Sequence, residues 1–207
     1  QAGAKVLGNN KDGIDFSLED DYYGDTRFHI PFIAWYQVMN ASLALTTMEV
    51  LKDRIPVTME QLQAGIANTR WQGRMETILP GVIVDGAHNE DGVRRFVETA
   101  ERFQKECPLT LLFSAVNDKD YQDMIHTICS RIKFRKVVTT EVGGYREVPS
   151  AELAEIFCKE GCKDVGNSDN IEEAFHMAHE AKGEDGMLFC VGSLYLVGEI
   201  KTLLLKK

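Results

Sequence analysis

A short polar turn after an apolar strand pattern holds the residues best suited to chemistry in this chain. Residues 81–89 read Gly-Val-Ile-Val-Asp-Gly-Ala-His-Asn, and a helical pattern starts directly afterwards. In an open α/β sheet, ligands bind beyond the carboxyl ends of the strands, near the positive end of the next helix. We expect Asp85 to expose its carboxylate in that crevice, where a ribose hydroxyl is a natural partner. Asp85 and His88 are therefore candidate site residues.

Two further candidates are Arg74 and Ser193. Arg74 follows Gly73, which allows a close approach, and a guanidinium can form paired hydrogen bonds to phosphate oxygens. The structural alternative is a solvated arginine or one paired with Glu76. Ser193 follows an apolar strand pattern and Gly192, so its hydroxyl would lie at the same sheet edge as Asp85.

Simpler structural roles compete with these chemical ones. Asn89 and Ser193 are both suited to capping the helices that follow them, and a charged first helical turn explains Asn117-Asp118-Lys119-Asp120. The Tyr145-Arg146 segment, after two glycines, is expected to be a flexible loop that touches substrate. Three histidines fall on helical patterns without clustered acidic or thiol partners, so we do not expect metal ligands among His126, His176 and His179.

The elements that must position these residues differ between the two ends of the chain. Residues 1–33 alternate polar and apolar positions and predict short antiparallel strands and hairpins. Helices are predicted over 37–51 and 58–69. We place a domain boundary near residues 70–72, because the sequence pattern changes there to strands that alternate with helices. The first part resembles the tail of another domain.

Strand and helix patterns alternate after the boundary. The predicted strands are 82–84, 109–113, 136–140, 164–165 and 187–191, and the predicted helices are 91–106, 121–132, 150–160, 171–181 and 194–205. Repeated β-α units of this length predict a mostly parallel sheet with helices on both faces.

Composition excludes several classes of protein. The net charge of −9 and the absence of a long Lys/Arg block argue against a nucleic-acid partner, and no apolar run is long enough for a membrane span. Five cysteines form no paired framework, which favours reduced, mostly structural thiols and a cytoplasmic protein. Because the chain starts with Gln1 and shows no signal layout, we expect a fragment of a longer protein. No Gly-x-x-x-x-Gly-Lys-Ser/Thr phosphate loop occurs in the 207 residues.

Five motifs in order resemble the folylpolyglutamate synthase/dihydrofolate synthase family of the Mur ligase superfamily. They are Gln37 with Asn40-Ala41, residues 71–76 (Trp-Gln-Gly-Arg-Met-Glu), residues 85–89, residues 118–120 (Asp-Lys-Asp) and residues 192–195 (Gly-Ser-Leu-Tyr). The family usually has Pro where Gln72 and Glu90 stand here. The resemblance covers the whole chain and implies a Rossmann-like α/β domain in 71–207, preceded in 1–70 by the strand-and-helix tail of a central ATPase domain.

The resemblance also implies an activity for the longer protein. Such ligases use ATP and Mg²⁺ to convert a folate or dihydropteroate carboxylate into an acyl phosphate, which the amino group of L-glutamate attacks. The missing N-terminal part would hold the phosphate loop and most magnesium ligands, so this chain alone is expected to be inactive. Carried over by position, Asn40 would contact adenine, Arg74 the nucleotide phosphates and Asp85 the ribose or adjacent atoms. His88 and Ser193 would serve the glutamate side.

Three other hypotheses stay open at this stage. One is a plain interaction domain, which would require the crevice around Arg74, Asp85 and Ser193 to be filled or dispersed. Another Mur-type ligase that acts on a peptidoglycan precursor would share the fold. A non-catalytic regulatory module could use the same β-α units and the Asp85 turn to bind a nucleotide.

Overall fold

The computed structural model describes residues 3–10, 13–144 and 146–205 and divides the chain into two compact units, Gln1–Trp71 and Gln72–Lys207. In the described part of the first unit, β1 (Gly3–Asn10), β2 (Gly13–Glu19) and β3 (Phe28–Ile30) form an antiparallel sheet. The helices α1 (Tyr36–Leu51) and α2 (Met59–Ala67) follow. The predicted strands, hairpins and two helices of this region are confirmed.

One face of the β2 strand builds the core of the first unit. Its alternate residues Ile14, Phe16 and Leu18 are buried and belong to the same cluster as Val38 and Leu45 of α1. This period of two is what a strand with one covered face requires.

The second unit is a larger sheet with helices between its strands. In the described part of this unit, the strands are β4 (Glu76–Leu79), β5 (Val82–Asp85), β6 (Leu109–Phe113), β7 (Phe134–Thr139), β8 (Val165–Asn167) and β9 (Met187–Val191). The helices are α3 (Glu90–Phe103), α4 (Tyr121–Arg131), α5 (Ser150–Lys159), α6 (Ile171–Lys182) and α7 (Leu194–Leu205). The strand order is β4-β5-β9-β6-β7-β8, and every pairing is parallel except that of β4 with β5.

Helices cover both faces of this sheet. On β9, Phe189 contacts Phe96 of α3, whereas its neighbour Cys190 lies in a cluster with residues of α6 and α7. On β6, Phe113 contacts Phe157 of α5. Both faces of the central strands are therefore buried, which explains their continuous apolar runs and confirms the predicted α/β class with a mostly parallel sheet.

The antiparallel edge strand β4 was not predicted from the sequence. It pairs with β5 through a tight turn in which Leu79 opposes Val82, and Gly81 adopts a positive φ of 69°. The Pro80-Gly81 dipeptide between two apolar runs was the available hairpin signal. None of the helices within the described ranges has the length and apolarity needed to cross a membrane.

Candidate nucleotide and glutamate site

The Asp85 carboxylate ends β5 and is buried, with only 3% of the residue exposed. Its Oδ2 accepts a hydrogen bond from the Met75 backbone N–H at 2.9 Å, and its Oδ1 accepts one from the Ala87 N–H at 2.8 Å. The prediction that this carboxylate is exposed in a crevice is therefore wrong. The physical reason is that the loop before β4 returns over the end of β5 and covers it.

Burial also sets the ionisation of this group. Removal from water raises the pKa of Asp85 from its ordinary value of 3.8 to about 6, although the Met75 and Ala87 N–H groups and the charge of Arg74 act in the opposite direction. A buried carboxyl at the end of a parallel strand is thus mostly ionised at pH 7 and sits beside a cation.

The loop that carries Arg74 has an unusual backbone. Met75 adopts a left-handed conformation, with φ of 47°, although it is not a glycine, and its side chain is buried. Such backbone strain persists only where the surroundings fix it, and the hydrogen bond to Asp85 does so here. The preceding Gly73 also has a positive φ, of 66°, and its carbonyl accepts the Gly86 N–H at 2.7 Å.

A second set of contacts ties the same loop to the last helix. The Glu76 carboxylate accepts the Gly73 N–H at 2.7 Å and forms an ion pair with Lys201 Nζ of α7, also at 2.7 Å. Both side chains of this pair are partly buried. The segment from Gly73 to Glu76, which we term the Arg74 loop, is therefore held at both ends.

Arg74 itself is half-buried, and its guanidinium forms no hydrogen bond or ion pair with any residue that the structure describes. The alternative in which Arg74 pairs with Glu76 is wrong, because Glu76 pairs with Lys201. A cation on a rigid loop, with its donors unused, is suited to an anionic ligand.

The next turn orients His88 and starts a helix. Nδ1 of His88 lies 2.7 Å from the Gly86 carbonyl oxygen, which can only accept, so Nδ1 carries the proton and Nε2 of the neutral ring is left as an acceptor. Asn89 accepts the Gly92 N–H and caps α3, whose first turn contains Glu90 and Asp91. The predicted capping role of Asn89 is confirmed.

Ser193 lies at the end of β9 and is 1% exposed. Its Oγ accepts the Tyr195 N–H at 3.1 Å, which confirms its predicted capping role at α7. The next residue, Leu194, packs so closely on Gly86 that a Cβ at that glycine would lie 2.2 Å from its Cδ2. The Arg74 loop, the Asp85 turn and the start of α7 thus meet at one edge of the sheet.

A polar network that the sequence did not reveal lies at the same edge. The Arg146 guanidinium donates to Tyr195 Oη at 3.0 Å and to Asp118 Oδ2 at 3.1 Å. Residues 117–122 line an open pocket of about 390 Å³ there. Asp120 caps α4, which confirms the charged first turn, while Tyr145 lies outside the described residues.

Asn40 belongs to the first unit, where it is exposed on α1 and donates to Gln37 Oε1 at 2.9 Å. The three histidines that were predicted to lie on helices do so: His126 is beside Glu160, His176 beside Glu172, and His179 stacks on Phe175. Over the described ranges, no group of three His, Cys, Asp or Glu residues is arranged to hold a metal ion.

Comparisons with known proteins agree with this fold. Residues 73–194 match the family described as Mur ligase, glutamate ligase domain. A dihydrofolate synthase/folylpolyglutamate synthase of Bacillus subtilis is 30% identical over 196 residues, which are 91% of this chain and 43% of that protein. The chain thus spans less than half the length of this relative.

Solved structures give the same result. The folylpolyglutamate synthase of Mycobacterium tuberculosis, complexed with ADP and AMPPCP, superposes with a TM-score of 0.77 and 25% identity, over 97% of this chain and 47% of that one. The folylpolyglutamate synthase of Thermotoga maritima gives 0.76 and 25%, over 98% and 46%. The chain therefore belongs to the Mur ligase family, with the glutamate ligase domain in residues 73–194 and folylpolyglutamate and dihydrofolate synthases among its relatives.

Proposed function

We propose that this chain is the C-terminal part of a cytoplasmic, ATP-dependent ligase that adds L-glutamate to a folate or dihydropteroate carboxylate through an acyl phosphate. The observation that carries the proposal is the Arg74 loop, a strained and doubly anchored segment whose guanidinium forms no hydrogen bond or ion pair with the described residues. Relatives named dihydrofolate synthase and folylpolyglutamate synthase, one of them complexed with ADP, support it.

We assign residues 1–70 to the end of a central ATPase domain and residues 71–207 to the glutamate ligase domain. The sequence holds no phosphate loop, and we assign that loop and most Mg²⁺ ligands to a preceding part of the protein. A chain without the phosphate loop is inactive by itself under this proposal.

Arg74 would bind the phosphates of ATP. When bound, the nucleotide supplies the phosphoryl group that activates the acid. Phosphoryl transfer is catalysed mainly by positioning and by stabilising charge on the phosphate oxygens, so a fixed guanidinium is what such a site needs. The anchored backbone of the Arg74 loop lowers the cost of holding that cation in place.

For Asp85 we propose a role as a positioning residue. Its two oxygens already accept the Met75 and Ala87 N–H groups, so it fixes the left-handed Met75 and thereby the direction of Arg74. The family resemblance implies a contact with the ribose or adjacent atoms. A direct contact would require the nucleotide to reach a residue that is 3% exposed.

The other predicted residues keep the roles that the resemblance implies. Asn40 would contact the adenine of the nucleotide. His88 would act on the glutamate side through Nε2, which accepts a proton or hydrogen bond because Nδ1 faces the Gly86 carbonyl. Ser193 would help through the α7 N-terminus that it caps, where backbone N–H groups favour an anion.

The test is phosphate release that depends on both ATP and glutamate, with dihydropteroate or tetrahydrofolate as the acceptor. We expect activity in the full-length protein and none in the 207-residue chain. Arg74→Ala should lower kcat/KM for ATP by at least about 100-fold, since charged hydrogen bonds to phosphate are lost at the transition state. Arg94→Ala, which removes an exposed arginine paired with Glu90, is the matched control.

Normal turnover in Arg74→Ala would contradict the assignment of that residue. A folded, Mg²⁺-supplied full-length protein that is inactive with both acceptors would overturn the folate ligase proposal. Activity with a peptidoglycan precursor would then identify another Mur-type ligase, and nucleotide binding without ligation would identify a regulatory module.

A further inference from the structure

Two thiols of the second unit lie in contact although they are 33 residues apart. Cys129 is on α4, Cys162 follows the end of α5, and their Sγ atoms are 3.7 Å apart. Both residues are partly exposed. A disulfide has an S–S distance of about 2.0 Å, so the sulfurs need to approach by less than 2 Å.

The backbone at Cys162 is fixed by the way α5 ends. The Cys162 N–H donates to the Phe157 carbonyl, the Gly161 N–H donates to the Cys158 carbonyl, and Gly161 adopts a positive φ of 92°. These are the two hydrogen bonds and the left-handed residue of a Schellman motif. The motif directs the Cys162 thiol towards α4 without a contribution from a flexible loop.

A neighbouring contact holds the two helices together. His126, one turn before Cys129 on α4, lies 2.9 Å from Glu160 at the end of α5. The Cys129–Cys162 pair is therefore the second of two adjacent contacts between α4 and the end of α5, and the sulfurs stay close in the reduced protein.

The thiols are not equivalent. The hydrogen bond between the two thiols lowers the pKa of Cys162, while burial and the nearby Glu160 oppose that shift. The same pairing, with burial, raises the pKa of Cys129. The lowered pKa of Cys162 favours this thiol as the attacking thiolate, and the Cys129 sulfur lies 3.7 Å away, where it can resolve the product.

We propose that Cys129 and Cys162 form a modification site that a hydroperoxide converts to an intramolecular disulfide. The Cys162 thiolate attacks one peroxide oxygen, the O–O bond breaks, and Cys162 becomes a sulfenic acid as water or alcohol leaves after protonation. The Cys129 sulfur then attacks the Cys162 sulfur, the S–O bond breaks, and a water leaves. The peroxide is reduced by two electrons, and the protein loses two hydrogens.

The test treats the folded full chain with hydrogen peroxide and maps its peptides without reduction. We expect a Cys129–Cys162 linked peptide, loss of two thiols per chain and full recovery with dithiothreitol. In Cys129→Ser the linked peptide should be absent and a sulfenic-acid trap should label Cys162. Cys158→Ser, which removes the exposed thiol on the last turn of α5, should form the linked peptide at a rate within twofold of the unsubstituted chain.

Two results would overturn the proposal. One is linkage of Cys162 to Cys158 in place of Cys129. The other is retention of both free thiols at a peroxide dose that oxidises Cys158. The peptide map of the unsubstituted chain decides both, so the test does not depend on whether a variant folds.

Discussion

The Asp85 carboxyl connects burial, ionisation and loop geometry in one residue. Its folded pKa of about 6 lies above its ordinary value of 3.8 because the group is removed from water. Between pH 4 and 6 the folded state therefore binds more protons than the unfolded state, so the free energy of unfolding falls as pH rises through that window. At neutral pH, the raised pKa of Asp85 lowers the free energy of unfolding by about 3 kcal/mol.

Asp85→Asn should remove this pH dependence. Between pH 4.5 and 7, the free energy of unfolding of the unsubstituted chain should fall by about 2 kcal/mol relative to that of the variant. The asparagine amide also leaves one of the two backbone N–H donors without an acceptor, which lowers stability by about 1–3 kcal/mol at every pH. Urea unfolding at several pH values measures both effects, and Asp91→Asn on the exposed first turn of α3 is the control.

A relative gain of stability by the unsubstituted chain as pH rises would contradict the raised pKa. ATP affinity in the full-length protein separates the two roles of Asp85. If Asp85 is a positioning residue, Asp85→Asn should lower both the ATP affinity and the rigidity of the Arg74 loop, measured by hydrogen exchange at Met75. If Asp85 binds the ribose directly, the variant should lose ATP affinity while the Met75 N–H stays protected.

The position of Asp85 at the end of a strand could be predicted from the sequence, but the surroundings of its carboxylate could not. The apolar run followed by Asp and Gly correctly marked the end of a parallel strand. Exposure was predicted wrongly because it depends on the Met75 N–H, ten residues earlier in a loop with no regular pattern. The Cys129–Cys162 pair was missed for a similar reason, since only the packing of α4 beside the end of α5 brings these residues together.

At the scale of elements, strong periodicity was enough to find the helices. In the predicted helix 91–106, apolar residues at helical spacing were expected to share one face: Val93, Phe96, Val97, Ala100 and Phe103. The first four are buried in α3, and Phe103 is partly buried and contacts Phe189. The ends of the helices were predicted less accurately. Helix α3 ends at Phe103 and not at residue 106, because residues 104–106 form turns. β4 was missed because four residues on a sheet edge, with partial burial, carry little periodic signal.

The Glu76–Lys201 ion pair links two secondary-structure elements, because it joins the first residue of β4 to the last helix, α7. Lys201→Met should lower the free energy of unfolding by about 1 kcal/mol, as expected for a partly buried ion pair. In the full-length protein it should also raise the KM for ATP, because the Arg74 loop loses one anchor. Lys159→Met, which removes an exposed lysine beside Glu155, is the matched control.

Glu76→Gln separates the two contacts of this carboxylate. The glutamine oxygen can still accept the Gly73 N–H, so the variant should resemble Lys201→Met more closely than Glu76→Ala does. Equal KM values for ATP in Lys201→Met and Lys159→Met would argue against any influence of α7 on the Arg74 loop.

At the scale of the whole molecule, the chain divides between Trp71 and Gln72. Residues 69–72 are exposed and lie outside helices and strands, and Arg70 is therefore an accessible trypsin site. Arg74, only four residues later, lies in a loop held by Asp85, Gly86 and Lys201, and its cleavage requires local opening.

Brief trypsin treatment should therefore produce a resistant fragment that begins at Trp71, identified by mass spectrometry. This fragment contains the whole six-stranded sheet of the described residues, with helices on both faces, so it should unfold cooperatively on heating. Lys201→Met provides an internal comparison, because a loosened Arg74 loop should increase cleavage after Arg74 relative to cleavage after Arg70. A largest fragment that starts after β4, or a fragment from Trp71 without a cooperative transition, would mean that the second unit is not an independent folding domain.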